Sequence, residues 1–485
     1  MESGKKKIGM WSLVMVVFVA AYGFSNVTSN LVYIGLAAIP SWIIVAILYF
    51  IPLTIMIVEL AAANKDKSAG IYSWIECSLG TRWAFVGTWS YYITSIFFLQ
   101  NVFGKLPVVV SWAIFGEDRF NDKTAYLIPW LAIGLIVALT FIAIMGVEKF
   151  SKISDLGGQL TLIATVLFIL FAIIGYIGKI TPSASEFTAA NLTPAFDVNY
   201  FSTFSWLLLA VCGSEIAGTY IGQVDNPKKT YTKSVMVAAG LLIGSYILGS
   251  IAVCLIMSPA EISKYNIADS QFIVFKVLGD SFGISGKVVV QVYAFINVIS
   301  SVACYVVWME SPIRAMFSDV PEGIFPKALS KSRSDGTMVN ALWMQCGVLF
   351  VLFTISIVGL KSLSNFFVLL MNLTSLSTIV PYAIMVVAYF TYRSKNEHID
   401  FAIIKSNFLA KMMSVIVLIL SVAGFFGAGL GDVLGASASE AFKKVLMDYG
   451  GPILLLLIGW IIILLHDRKN KHKMQMSTDD NRKIG

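Results

Sequence analysis

A bilayer's hydrocarbon core takes about 20 consecutive apolar residues to cross as a helix, and this chain supplies such runs from end to end. They fall near 9–37, 41–63, 83–113, 125–147, 156–180, 201–222, 234–258, 287–317, 338–360, 366–392, 409–430 and 449–466. Only 13% of the 485 residues are charged and 57% are hydrophobic, against about 25% charged in a soluble domain. The chain therefore reads as an all-α polytopic membrane protein with about twelve transmembrane helices. The first run is too long for a cleaved signal peptide, and no small-residue cleavage site follows it. The widest gap, about 30 residues between the seventh and eighth runs, has no room for a soluble domain.

Lysine and arginine collect on the cytoplasmic side of membrane proteins. With twelve spans, the side that holds both termini carries 25 of the 35. Lys105, Arg119, Lys123, Lys179, Lys264, Lys276, Lys287, Lys361, Lys443 and Lys444 fall opposite. Both termini are therefore expected in the cytoplasm. The net charge of +7 is spread over separate loops by topology, which leaves no concentrated patch for nucleic acid. Cys77, Cys212, Cys254, Cys304 and Cys346 lie in or beside spans without CxxC spacing, so neither a disulfide framework nor a metal site is expected. No nucleophile–base pair or cofactor motif points to an enzyme. Polar residues concentrate in two spans instead of forming a continuous lining, unlike a channel. Short loops and a tail of about 20 residues past His466 leave little for a sensor to signal with.

Non-helical backbone survives in a membrane only where it lines a cavity or is buried in protein. Two spans look interrupted. The first places Gly23-Phe24-Ser25-Asn26 at its centre, followed by Thr28, Ser29 and Asn30. The sixth places Gly213-Ser214-Glu215 at its centre, with Gly218 behind. Glycine costs a helix roughly 1 kcal/mol relative to alanine, and buried polar groups add desolvation. Packing glycines would explain either span alone. Two breaks five spans apart, on spans that run in opposite directions, match an inverted repeat with a binding site at the midplane. The expected layout is a cytoplasmic N-terminus over 1–8 and a first repeat over 9–180. A second, inverted repeat covers 201–392, two further helices cover 409–466, and a basic cytoplasmic tail covers 467–485. Half-helix ends at the breaks expose N–H groups for a carboxylate and C=O groups for an ammonium.

Four stretches give a resemblance that covers nearly the whole chain. IMIVELAAANKDKSAGIYSWIECSLGTRWAF spans 55–85, and AVCGSEIAG spans 210–218 with Asp225-Asn226-Pro227 after it. VVWMESPIRAM (306–316) with EGIFPKALSK (322–331), and LLHDRKNK (464–471), complete the set. Together they resemble the amino acid–polyamine–organocation transporters, most closely the glutamate/γ-aminobutyrate antiporters. The resemblance implies a LeuT-like fold of ten spans in a 5+5 inverted repeat, with discontinuous helices 1 and 6 and two C-terminal helices. It implies alternating access in a bacterial cytoplasmic membrane, with contacts to lipids and small amino-acid and amine substrates. A homodimer is an assembly it allows. Carried over by position, Gly23, Phe24, Ser25 and Asn26 fall where the first break meets a substrate carboxylate. Val211, Cys212 and Gly213 fall where carbonyls meet the ammonium, and Trp308 borders the substrate. Glu215 matches an acidic position in the related antiporters.

The departures carry information. Leu209 stands where arginine exchangers have a stacking tryptophan, which counts against arginine. Span five has no lysine in its interior, where proton-coupled relatives keep one, and Gln159 sits at its polar end. That favours exchange over proton symport. Ionisable groups inside spans are functional candidates by default. Glu59 and Arg314 are assigned to gating or a structural ion pair near the cytoplasmic ends, and Glu215 to a pH-responsive gate or a brace for the break. Glu310 is placed with the substrate residues as a partner for a cationic amine. Of the aromatics Tyr22, Phe24, Trp206, Tyr220, Tyr293 and Trp308, only Phe24 and Trp308 are assigned to the site. The sequence thus reads as an antiporter that takes up an amino acid and releases its decarboxylated amine, of the glutamate/γ-aminobutyrate type. Tyrosine/tyramine exchange, agmatine/putrescine exchange and a proton-coupled permease are the alternatives.

Overall fold

A computed structural model describes residues 9–484 apart from 65–69, 146, 182–184, 224–226, 319, 322, 335, 360–361, 397–400 and 429, and places no side chains beyond 470. The Asp225-Asn226 motif, the Tyr220 side chain and the N-terminal lysines lie outside the described residues. Two helices, α1 (Met10–Ala21) and α2 (Phe24–Ile34), make the first interrupted span. A turn at Gly35, with φ of 58°, leads into α3 (Ala38–Val45), which continues through a π turn into α4 (Ile51–Ala63). These pieces form one apolar stretch of 54 residues, Met10–Ala63. That is far longer than the ~20 residues a single crossing needs, so it holds two crossings. With it, 11 apolar stretches of the described residues are long enough to span, consistent with the twelve runs in the sequence.

The short α5 (Ile71–Leu79) lies between α4 and the long α6 (Thr81–Phe115), which Gly116 ends in a left-handed cap at φ 70°. Next come α7 (Leu127–Ile144), α8 (Val147–Ile177) and the one-turn α9 (Ala189–Leu192). The second interrupted span is α10 (Val198–Ala210), begun by the Asp197 side chain accepting from the Tyr200 N–H at 2.8 Å, and a 3₁₀ segment, Ser214–Gln223. Beyond it run α11 (Pro227–Cys254), the short α12 (Pro259–Ile262), α13 (Ser270–Ser281), α14 (Gly286–Ser318) and α15 (Lys327–Ser330). The chain closes with α16 (Val339–Gly359), α17 (Leu363–Lys395), α18 (Asn407–Gly427), α19 (Leu430–Leu434) and α20 (Ala438–Ile484).

The core is a bundle in which α14 packs against α6 and α8, α6 also against α17, and α1 against α8 and α11. The remaining long helices lie outside it and present large apolar side chains outward, among them Ile355, Ile419, Phe426, Phe442 and Leu454. In water such a surface would be an aggregation liability; in hydrocarbon it is the solvated surface. Between spans seven and eight the sequence promised only a loop, yet α13 is a buried amphipathic helix. Its Phe272, Phe275 and Leu278 recur at helical spacing and face inward.

Candidate functional site

Both interrupted spans break in the middle of the bundle. In the first, Tyr22 (φ −82°, ψ 126°) and Gly23 (φ −137°, ψ 122°) are extended, and α2 starts at Phe24 without a side-chain cap on its first-turn N–H groups. In the second, Val211 and Cys212 turn away from the helix after Ala210, and Gly213 takes φ 123°. That conformation belongs to glycine. A Cβ on Gly213 would also meet the Ala21 Cβ at 3.1 Å and its Cα at 3.4 Å, so the two breaks touch there. The Gly213 N–H donates to Glu215 Oε2 and to the Tyr382 hydroxyl, each at 3.0 Å.

One hydroxyl joins the two breaks. Tyr246 on α11 lies within donating distance of the Ala21 carbonyl at 3.0 Å and the Ala210 carbonyl at 2.9 Å, and accepts from Asn26 Nδ2 at 3.2 Å and the Gly23 N–H at 3.4 Å. A phenol carries a single proton, so it can fully serve only one of the two carbonyls at a time. The ring is held by a parallel stack on Trp42, with centroids 4.4 Å apart. Sequence reasoning missed Tyr246, because a tyrosine in an apolar span looks like ordinary packing.

Between the breaks lies a cavity of about 150 Å³, the size class of an engineered cavity that admits benzene. The first break lines one wall with Tyr22, Gly23, Phe24, Ser25 and Asn26, and Cys212 joins from the second. Tyr293, Asn297, Ser300, Ser301, Cys304 and Trp308 come from one stripe of α14, and Thr161 and Thr165 from α8. Asn101 and Lys105 come from α6 and Gln271 from α13. Aromatic clusters border the cavity at two places. Phe24 packs edge-on against Phe168 and Phe275 at 5.0 and 5.3 Å, and Phe275 stacks on Tyr293 at 3.6 Å. Elsewhere Trp308 stacks on Phe98 at 4.4 Å and donates to the Ala20 carbonyl at 2.9 Å.

The structure thus brings Gly23, Phe24, Ser25, Asn26, Cys212 and Trp308 together around one space. Val211 and Gly213 form the second break beside it without lining it. Glu310 needs correcting. It is two residues past Trp308, hence about 200° around a helix of 3.6 residues per turn, and it forms an ion pair with Arg314 in a separate crevice near Gly336 and Met338. Glu215 is buried behind the break as a partner of the Gly213 N–H and does not line the cavity. Glu59 forms a buried ion pair with Arg393. Its Oε2 accepts from Arg393 Nη2 at 2.5 Å and Tyr389 at 2.7 Å, while Oε1 accepts the Ile403 and Ile404 N–H groups at 2.7 and 3.1 Å. Arg393 is therefore no loop charge, and neither is Lys105, which the sequence count had put outside. Both sit within helices.

Away from the spans, α13 is pinned at its start. Asp269 accepts from Trp112 Nε1 at 2.6 Å and from Asn266 Nδ2 at 2.5 Å, and its carboxyl hydrogen-bonds that of Asp118 from the loop after α6. Burial, then the neighbouring Asp269 charge, push the Asp118 carboxyl up to about 7. Burial likewise raises Asp269.

A profile of the amino acid permease family matches residues 8–437. Among curated relatives, an aspartate/glutamate permease of Lactococcus lactis subsp. cremoris is 24% identical over 98% of either chain. An inner membrane transporter of Escherichia coli is 24% identical over 94% of this chain and 96% of its own. A glutamate/gamma-aminobutyrate antiporter of Lactococcus lactis subsp. lactis is 21% identical over 87% of this chain and 84% of its own.

Proposed function

Since the chain belongs to the amino acid permease family, we propose that it is a secondary active antiporter of the bacterial cytoplasmic membrane, with both termini inside. It exchanges an external amino acid for an internal amine by alternating access. The observation that carries the reading is the pair of helix breaks meeting at Gly213 and Ala21 beside one cavity with apolar walls and a few polar side chains. In this reading the substrate carboxylate sits at the start of α2, where N–H groups and the positive end of the helix dipole favour an anion. The ammonium meets carbonyls around Val211 and Cys212 at the end of α10, where the dipole is negative. Asn26 and Ser25 supply side-chain hydrogen bonds, and Phe24 and Trp308 border the substrate. The two halves, 9–180 and 201–392, act as the inverted repeats that rock about this point.

Exchange is favoured over proton coupling because α8 carries Thr161 and Thr165 toward the cavity and no lysine between Lys152 and Lys179. The relative named for glutamate/gamma-aminobutyrate supports an amino acid and its decarboxylation product as the pair, and the one named for aspartate/glutamate supports an acidic amino acid as the substrate taken up. The test is uptake of labelled glutamate, tyrosine, arginine and agmatine into proteoliposomes, each batch preloaded with one candidate counter-substrate. The reading requires uptake only into vesicles loaded with an exchangeable partner. Uptake into empty vesicles that rises with an imposed proton gradient would replace it with the permease reading.

A further inference from the structure

Building on the exchanger reading, we propose that Lys105 is the specificity-determining residue of the cavity: it pairs with a carboxylate on the substrate's side chain and selects acidic amino acids. On α6 the positions Phe98, Asn101, Lys105 and Val109 form one helical stripe turned to the cavity. Lys105 is the single charged side chain among the described residues that line this space. No hydrogen bond or ion pair holds its ammonium among the described residues. The carboxylates Glu59, Glu310 and Glu215 within the spans are engaged elsewhere: Glu59 with Arg393, Glu310 with Arg314, Glu215 with the Gly213 N–H.

A cation at this depth is costly until something neutralises it. The protein wall offers Asn101, Gln271, Asn297 and serines, which can solvate an ion but not cancel its charge. The counter-charge therefore arrives with the ligand. The α-carboxylate and α-ammonium are taken up by the two helix breaks, which leaves the side chain to meet Lys105. A second carboxylate is attracted there, a neutral amide loses that attraction, and a guanidinium or a second ammonium is repelled.

This also sorts the exchange pairs. Removing the α-carboxylate from glutamate or aspartate leaves an ω-amino acid that keeps both an amine and the distal carboxylate. Substrate and counter-substrate then share the group that Lys105 reads. Tyramine and putrescine carry no carboxylate at all.

The experiment compares glutamate with glutamine and aspartate with asparagine as inhibitors of amino-acid uptake in loaded proteoliposomes. In the wild-type protein each acid should compete at least tenfold better than its amide. Lys105→Met should erase that preference and Lys105→Arg should keep it, with a monodisperse gel-filtration profile and thermal unfolding in detergent showing that each variant is folded. A wild-type protein that takes up amino acids but prefers neutral or cationic ones, or a Lys105→Met variant that keeps the acid preference, overturns the proposal and leaves the exchanger reading standing. A wild-type protein that moves no amino acid overturns both. If Lys105→Met is inactive toward every substrate, the wild-type preference together with Lys105→Gln decides by the same criterion.

Discussion

Gly213 carries two demands in one position. Its φ of 123° is closed to side chains, and its missing Cβ lets the second break lie against Ala21. Strained backbone of this kind costs roughly 1–3 kcal/mol when forced on another residue. Gly213→Ala is therefore expected to lower exchange by about tenfold or more, since 1.4 kcal/mol is a factor of ten, and to lower the melting temperature in detergent. An Ala variant with wild-type rate and stability would show that the break does not need this conformation. Gly213 was legible in the sequence, as a glycine beside a carboxylate in an apolar span. Lys105 and Tyr246 were not: a lysine near the end of a long span counts as a loop charge, and a tyrosine counts as packing. Only the three-dimensional neighbours distinguish them.

Two contacts between elements carry predictions of their own. The Glu59–Arg393 pair ties α4 to α17, and through the Ile403 and Ile404 N–H groups to the approach of α18. Removing one partner of a buried pair leaves an uncompensated charge and costs about 3–5 kcal/mol. Glu59→Gln should thus destabilise the protein strongly, and adding Arg393→Met should restore part of the loss. Equal stability of Glu59→Gln and wild type in thermal unfolding would deny the pair this role. At the start of α13, the Asp118 carboxyl titrates near 7 in the folded protein against an ordinary 3.8. A raised acid pKa means the contact is fully favourable below about 4 and weakens as pH rises through about 7. Hydrogen exchange of α13, corrected for intrinsic rates, should be slower at pH 5 than at pH 8, and Asp118→Asn should abolish the difference. A difference that survives the substitution would place the titrating group elsewhere. The aspartates gave no sequence signal, because they are 151 positions apart and meet only through folding.

For the molecule as a whole, hydropathy alone points to the class and to about twelve candidate crossings, because hydrocarbon permits few backbone solutions. The two breaks were readable for the same reason: glycine and polar residues at mid-depth have to be accommodated. Which side chains face the space between them was not, since residues two apart, such as Trp308 and Glu310, point in opposite directions on a helix. The central claim is that an amino acid occupies the space between the breaks. Cys212 and Cys304 line it, whereas Cys77, Cys254 and Cys346 do not. With those three replaced by serine or alanine, the rate of alkylation of Cys212 and Cys304 by a small thiol reagent can be followed in membrane vesicles. The account predicts that a substrate concentration saturating for uptake slows labelling of both cysteines. Labelling at an unchanged rate under that concentration would contradict it, and would move the substrate away from the breaks.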